Sequence, residues 1–542
     1  MIPEAAARNT RAVAFLLFTC CLSAGAAEHP SAAAVAVVEP AGSGLGGGGF
    51  WLLHRAADGH EVMIDGRERA PGAASPTMYL DERGEPVPRL SLDGPLAAGI
   101  PGTPAGIVHL AENYGRLPLS RSLAPAIRHA RKGFAVDEHY LQLIGFRIDA
   151  LRQSPSAAKI FLDNGAVPKP GFVLRQPELA DVLEAIARDG FDGFYRGRTA
   201  KRLVDGVRKA GGIWTLDDLA QYRVVEREPV RGVYRGIRIV SAPPPSSGGI
   251  ALITMLNVLS GYELDRLDAL TRHHLVIEAM RRAYRDRAQY LGDPDFVEVP
   301  EELITPAYAA GLRNGIRADR ATPSDLLPGM PASPQGTDTT HFSIIDTEGN
   351  RVAATLSINL PFGSGFVPPG TGVLLNNEMD DFAASANRPN AYGLIGAESG
   401  ANAIAPGKRP LSSMTPTFLD DGERVAILGT PGGSRIISMV LIGALEYASG
   451  RGPEDWVATG RYHHQFFPDR VEYEAGTFSG EEIAGLRALG HELTPTGRRY
   501  GNMQAIEWNR RTNEVRAASD PRGGGSAEVL QLDTRLERTG TD

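Results

Sequence analysis

Cysteine is nearly missing from this 542-residue sequence: Cys20 and Cys21 are adjacent, and no third follows. Neighbouring cysteines rarely bridge, so a structural disulfide is not expected. Long apolar runs are equally scarce. The single candidate, AVAFLLFTCCLSA at 12–24, is short for a membrane span. It follows Arg8 and Arg11 and runs into the small residues SAGAA at 23–27. A basic region, an apolar region and a cleavage site in that order make residues 1–27 a secretory signal peptide. The mature chain is then periplasmic or secreted, without a membrane span. The other reading of this run is a buried helix of the folded chain. A lipoprotein signal fits less well, because Thr19 precedes Cys20 where a smaller residue is expected. An excess of positive charge is absent too. The net charge of −8 argues against a nucleic-acid partner and leaves a small-molecule substrate open.

What is present is the profile of a soluble globular protein, with 22 % charged and 42 % apolar residues. The length allows two to four domains, or one large layered one. Glycine is abundant and clustered, which predicts tight turns and close backbone approach. The run GGGG at 46–49 precedes a strand pattern with no Lys-Ser/Thr pair, so it is not a phosphate loop. Amphipathic helices are expected over 106–115, 123–134, 179–190 and 273–296, and Thr215 stands as an N-cap before an acidic turn. His273 and His274 open the last of these helices without a metal-ligand spacing, so they read as ordinary helix residues. Residues 313–336 shift to Pro, Ser, Asp and Gly without periodicity, the chemistry of a mobile linker. Strand patterns at both ends, with helices between, give a mixed α and β protein.

The linker ends at Asp338, and DTTHFSIID (338–346) then alternates polar and apolar residues as a strand does. Glu348, Gly349 and Asn350 form a turn, and RVAATLSI (351–358) reads as the returning strand of a hairpin. A Thr opening a strand usually means only that Thr favours strands. The chemical alternative is a cut before Thr339, whose freed α-amine, near pKa ~7.7–8.0, serves as base for its own hydroxyl. Downstream, NLPFGSGF (359–366), LLNNEMDDF (374–382), KRPLSSMTPT (408–417) and LGTPGGSR (428–435) follow in one order. Together with DTTHFSIID they resemble the γ-glutamyltransferases (γ-glutamyl transpeptidases), which are N-terminal-nucleophile hydrolases. The likeness runs from about Ala41 to the C-terminus.

The resemblance implies an α+β fold, a four-layer αββα sandwich. It also implies a precursor that cuts its own Asp338–Thr339 bond. A large subunit, 28–338, and a small catalytic subunit, 339–542, would result. No metal and no organic cofactor is implied. Thr339 is the implied nucleophile, Ser357 its supporting hydroxyl, and Gly432 and Gly433 the backbone donors of an oxyanion hole. The implied substrate is the γ-glutamyl group of glutathione and related compounds. Asn359, Glu378 and Asp381 are assigned to its α-ammonium, and Arg67, Ser412 and Ser413 to its α-carboxylate, which suits the planar fork of a guanidinium. Asp380 is left as structural. Tyr392 matches a lid loop, which favours transfer to amino acid or peptide acceptors beside hydrolysis. Taken singly, an Arg leaving a strand, acidic residues in a turn and a Pro-Gly-Gly turn are more often solvated or structural.

Two features depart from the family pattern. Ser357 stands where a second Thr is usual. The strand and helix that normally precede the glycine loop, with a GGNAVDAA-like segment, are reduced to a remnant at 32–38. Loss of an inner strand is expected to expose a sheet edge. Two other functions stay open. One is a glutaryl- or cephalosporin-type acylase of the same fold, against which Glu378 and Asp381 argue; the other is a non-catalytic remnant.

Overall fold

The computed structural model describes residues 28–327, 339–383 and 400–530. The leader with its two cysteines, Asp338 and Tyr392 lie outside these residues. The expected hairpin is present: Thr340–Ile345 pairs antiparallel with Arg351–Ser357, Thr340 opposite Leu356 and Ile345 opposite Arg351. Its turn closes because Asp346 Oδ1 accepts the N–H groups of Glu348 and Asn350, each at 2.9 Å. Gly349 takes φ +88° there, a left-handed backbone that costs glycine nothing sterically.

Arg351–Ser357 is also paired with Gly48–Arg55, which pairs with His60–Gly66 and through it with Val225–Arg227. The alternation of side chains along these strands divides two cores. Trp51, Leu53, Val62, Ile64, Ala354 and Leu356 face outward onto helices, against Ala33, Val37, Leu123 and Leu183. Phe50, Leu52, Met63 and Ala353 face inward and join Phe418 and Ile427 of a second sheet. That sheet runs in the order Glu514–Ser519, Gln504–Asn509, Arg424–Gly429, Thr417–Asp420, Ile237–Ser241, Val230–Tyr234. The helices Gly248–Leu259, Ala269–Tyr290 and Ile436–Ala448 pack into the same core from its far side. Helix, sheet, sheet, helix is the four-layer arrangement expected. Each sheet takes strands from both sides of residue 338, so the expected scission there would leave the two pieces sharing both sheets.

Two expectations meet the structure differently. Of the stretch 313–336, expected as a mobile linker, residues 313–327 are fixed in the fold, and the remainder lies outside the described residues. The helix Pro306–Asn314 runs into the stretch, and the chain beyond is pinned as far as Leu327. Ala321 N–H donates to Leu489 O at 2.6 Å, Thr322 N–H to Glu278 Oε1 at 3.1 Å, and Ser324 N–H to Asp469 Oδ2 at 2.6 Å. Composition misled here because these polar groups bond partners far away in sequence. The remnant at 32–38 belongs to a helix, Glu28–Val38, whose Ala33 and Val37 are fully buried. Thr340–Ile345 is an edge strand of its sheet among the described residues. No helix among them is long and apolar enough to cross a membrane.

Candidate active site

Thr339 immediately precedes its strand and Ser357 ends the strand beside it, which brings Thr339 Oγ1 within 3.5 Å of Ser357 Oγ. Both residues are buried. Ser357 Oγ accepts the N–H of Asn359 at 2.8 Å, so its own proton stays available to Thr339. Asn359 reaches that position with φ 75°, a conformation asparagine tolerates, and its Nδ2 donates to Asn377 O at 2.8 Å. Facing the hairpin is the loop after Arg424–Gly429. Gly432 and Gly433 there have φ +144° and +56°, and a Cβ on Gly432 would lie 2.5 Å from Met439 Cε. Neither backbone N–H donates to another group among the described residues. A narrow cavity joins Thr339, Ser357 and Asn359 to Arg67, Asp381, Ser412, Ser413 and Gly433.

Arg67 is anchored as the chain leaves His60–Gly66. Its N–H donates to Asp65 Oδ1 at 2.9 Å, Tyr222 Oη donates to its carbonyl at 2.8 Å, and its Nε donates to Pro410 O at 3.1 Å. The remaining guanidinium nitrogens meet three carboxyl groups. Nη1 lies 2.7 Å from Glu378 Oε2 and 3.5 Å from Glu68 Oε2, and Nη2 bonds Asp381. The sequence assignment separated Arg67 from Glu378 and Asp381 by substrate group; the structure puts them in direct contact. One guanidinium cannot neutralise three carboxylates in a water-poor interior. Burial raises Glu68, to about 8 despite Arg67, and raises Glu378 well above the usual carboxylate range. Arg67 itself stays charged, since the carboxylates outweigh the cost of its burial. Of these carboxyl groups only Asp381 lines the cavity; Glu378, expected at the substrate's ammonium, and Glu68 lie buried behind Arg67, and this excess of acidic groups over positive charge favours an added cation beside Asp381. Asp380 turns instead to Ser91, whose Oγ donates to Oδ1 at 2.7 Å, in keeping with a structural part.

Three further features bear on the site. Met414, Ser434 and Ile436 also line the cavity, and sequence reasoning passed over them although each adjoins a recognised motif. Gly429 is required by His341, whose ring would come within 2.2 Å of a Cβ there. Burial depresses the His341 ring to about 3, so it is a neutral hydrogen-bonding block against Thr355 Oγ1 at 2.8 Å. His274, read as an ordinary helix residue, meets Glu278 and His491 closely enough to suggest a metal. Most of these atoms have partners within the fold: His274 bonds Arg317 O and His491 Nε2, and Glu278 pairs with Arg281 and Arg282, while His491 Nδ1 has none among the described residues. A larger cavity of about 390 Å³, bordered by Gly59–Val62, Glu226–Glu228 and Arg231, shares no residue with the Thr339 site and is lined by no Ser, Thr or Cys.

Two facing sheets between helical layers, with a threonine at the head of an inner-facing hairpin, define an N-terminal-nucleophile hydrolase fold. The sequence matches the gamma-glutamyltranspeptidase family over residues 27–530. The chain belongs to this family of enzymes. It is 41 % identical to the glutathione hydrolase proenzyme of Escherichia coli (strain K12), over 90 % of this chain and 84 % of that one. It is 35 % identical to the glutathione hydrolase proenzyme of Bacillus subtilis (strain 168), over 92 % and 86 %. Among solved structures, cephalosporin acylase from Bacillus halodurans superposes with a TM-score of 0.80 at 28 % identity, covering 93 % of this chain and 91 % of that chain. Helicobacter pylori gamma-glutamyltranspeptidase superposes with a TM-score of 0.54 at 42 % identity, covering 55 % and 86 %.

Proposed function

We propose that this enzyme cuts its own Asp338–Thr339 bond and then transfers the γ-glutamyl group of glutathione and related compounds to water or to amino acid and peptide acceptors. The observation that carries the reading is the convergence of Thr339 and Ser357 with Arg67, Asp381, Asn359, Ser412 and Ser413 on one cavity. In maturation, Thr339 Oγ attacks the Asp338 carbonyl carbon, the amide nitrogen leaves as the new α-amine, and water hydrolyses the resulting ester. The products are a large subunit ending at Asp338 and a small subunit beginning at Thr339. In turnover the α-amine takes the Thr339 hydroxyl proton as Oγ attacks the γ-carbonyl carbon. Gly432 and Gly433 N–H groups receive the oxyanion. Collapse expels the leaving amine, which takes the proton back from the α-ammonium, and leaves a γ-glutamyl ester on Thr339. Water or an acceptor amine then repeats the sequence in reverse.

The carboxyl-rich surroundings of Arg67 support a zwitterionic donor: a γ-glutamyl group brings both an ammonium for the acidic cluster and a carboxylate for Arg67, Ser412 and Ser413. A glutaryl group brings no ammonium, which leaves the acidic cluster uncompensated. Relatives named as proenzymes support a processed pair of subunits. The basic and apolar leader supports export to the periplasm or beyond. Denaturing electrophoresis of purified protein, N-terminal sequencing of the smaller band and comparison of γ-glutamyl with glutaryl anilides test the proposal together. Two bands, a new N-terminus at Thr339 and preference for γ-glutamyl are expected. An uncut chain that hydrolyses glutathione, or a preference for glutaryl, would overturn it.

A further inference from the structure

The segment PPPSSGG at 243–249 carries no role in the chemistry above, yet it holds the loop that presents Ser412 and Ser413. Ser412 N–H donates to Pro245 O at 2.8 Å, and Ser247 returns both N–H and Oγ–H to Ser412 O, at 2.8 and 2.7 Å. Ser246 Oγ donates to Met414 O at 2.5 Å. Gly248 lies so close that a Cβ would come within 2.2 Å of Thr415 Oγ1. Behind this loop stands Arg287, in the last turn of Ala269–Tyr290 and buried. Its Nε donates to Ser247 Oγ at 3.0 Å and its Nη2 to Ser413 Oγ at 3.3 Å.

Two points make this guanidinium unusual. Among the described residues no carboxylate lies within ion-pair distance of it, although buried arginines are ordinarily paired. Of its two hydroxyl partners, Ser413 lines the cavity and Ser247 supports the Ser412 carbonyl behind it. Ser413 Oγ thereby accepts from Arg287, just as Ser412 Oγ accepts the Met414 N–H at 3.0 Å, and each hydroxyl keeps its proton to donate into the cavity. Burial lowers Arg287 to about 10, so it is charged at neutral pH, and it feels Asp381 and Arg67 across the site.

We propose that Arg287 is a positioning residue for the donor's α-carboxylate: it aligns the Ser413 and Ser247 hydroxyls and supplies a second buried positive charge whose counter-ion is that carboxylate. This rests on the γ-glutamyl reading above. Arg287 does not touch the donor; it acts through Ser413 and through its field. Lysine keeps the charge but not a fork that reaches two hydroxyls at once.

The test uses the processed enzyme, γ-glutamyl-4-nitroanilide as donor, and two competitors: glutamate, which has the α-carboxylate, and 4-aminobutyrate, which lacks only that group. For Arg287→Lys, KM for the anilide and Ki for glutamate are expected to rise about tenfold to a hundredfold, the range of one charge-assisted hydrogen bond. Ki for 4-aminobutyrate should stay within about twofold, and the Arg287→Lys effect should vanish in a Ser413→Ala background. A general distortion would weaken both competitors equally, which overturns the proposal, as does an unchanged KM. Should Arg287→Lys fail to mature, Ser247→Ala removes one anchor while leaving the guanidinium, and the same selective loss for glutamate is required. A wild-type enzyme that ignores γ-glutamyl-4-nitroanilide would sink the functional reading itself, a result distinct from wild-type turnover with an indifferent variant.

Discussion

Arg67 Nη1 and Glu378 Oε2 lie 2.7 Å apart in a fully buried cluster, so the group expected to grip a carboxylate is held by carboxyl groups of the protein itself. Glu378→Gln keeps the shape and removes one acidic group from the cluster behind Arg67, next to the Asp381 end of the cavity. KM for γ-glutamyl anilide should rise about tenfold, while glutaryl anilide, lacking an ammonium, changes little. Equal effects on both donors would show that Glu378 serves only to hold Arg67.

Thr339→Ala should leave a single uncut band and no turnover, because both the attacking oxygen and the route to a free α-amine are lost. Thr339→Ser retains the oxygen and should still mature, more slowly. In the mature enzyme kcat/KM should fall as pH drops below the α-amine pKa, about 7.7–8.0, since a protonated amine accepts no proton. A flat profile from pH 6 to 9 would exclude that amine as the base.

Ser357→Ala removes the hydroxyl 3.5 Å from Thr339 Oγ1. Maturation, followed by the time course of the two bands, should slow by about tenfold to a hundredfold. Ser357→Thr restores the oxygen and should mature at least as fast as the natural chain.

Gly432→Ala introduces a Cβ at φ +144° and 2.5 Å from Met439 Cε, displacing the proposed oxyanion donors. The expected signature is a kcat lower by about a hundredfold or more, with KM within a few-fold, as for loss of a transition-state hydrogen bond. A rise in KM alone would place this loop in donor binding instead.

Glu278 ties the stretch around Thr322 to the helix Ala269–Tyr290, where it also pairs with Arg281 and Arg282. Burial would raise its carboxyl, but the two arginines outweigh that and bring it to about 2. A carboxyl depressed on folding adds stability above its unfolded pKa of 4.5, and that stability is lost as pH falls towards 2. The contribution at neutral pH is about 3 kcal/mol. Urea midpoints between pH 6 and 3 should therefore fall more steeply for the natural chain than for Glu278→Gln, which is less stable at neutral pH because it leaves the arginines underpaired. Parallel curves would refute the assignment.

The sequence by itself determined the hairpin at 338–358, the acidic, serine and glycine loops and their order, because each is written in a short run whose periodicity or turn chemistry is local. It also determined the family, because five such runs recur together. What it could not contain was which of those loops touch. Arg67 meets Glu378 and Asp381, and Arg287 meets Ser413 across 126 residues, only because two sheets stack face to face and bring distant loops to one edge. The run at 313–336 read as a linker for the same reason: the donors of its described part, 313–327, find Glu278, Asp469 and Leu489 only in the folded chain. Buried charge has to be compensated by whatever packing places beside it. That pairing is a property of the tertiary structure, and it decides which residues of this enzyme face its substrate.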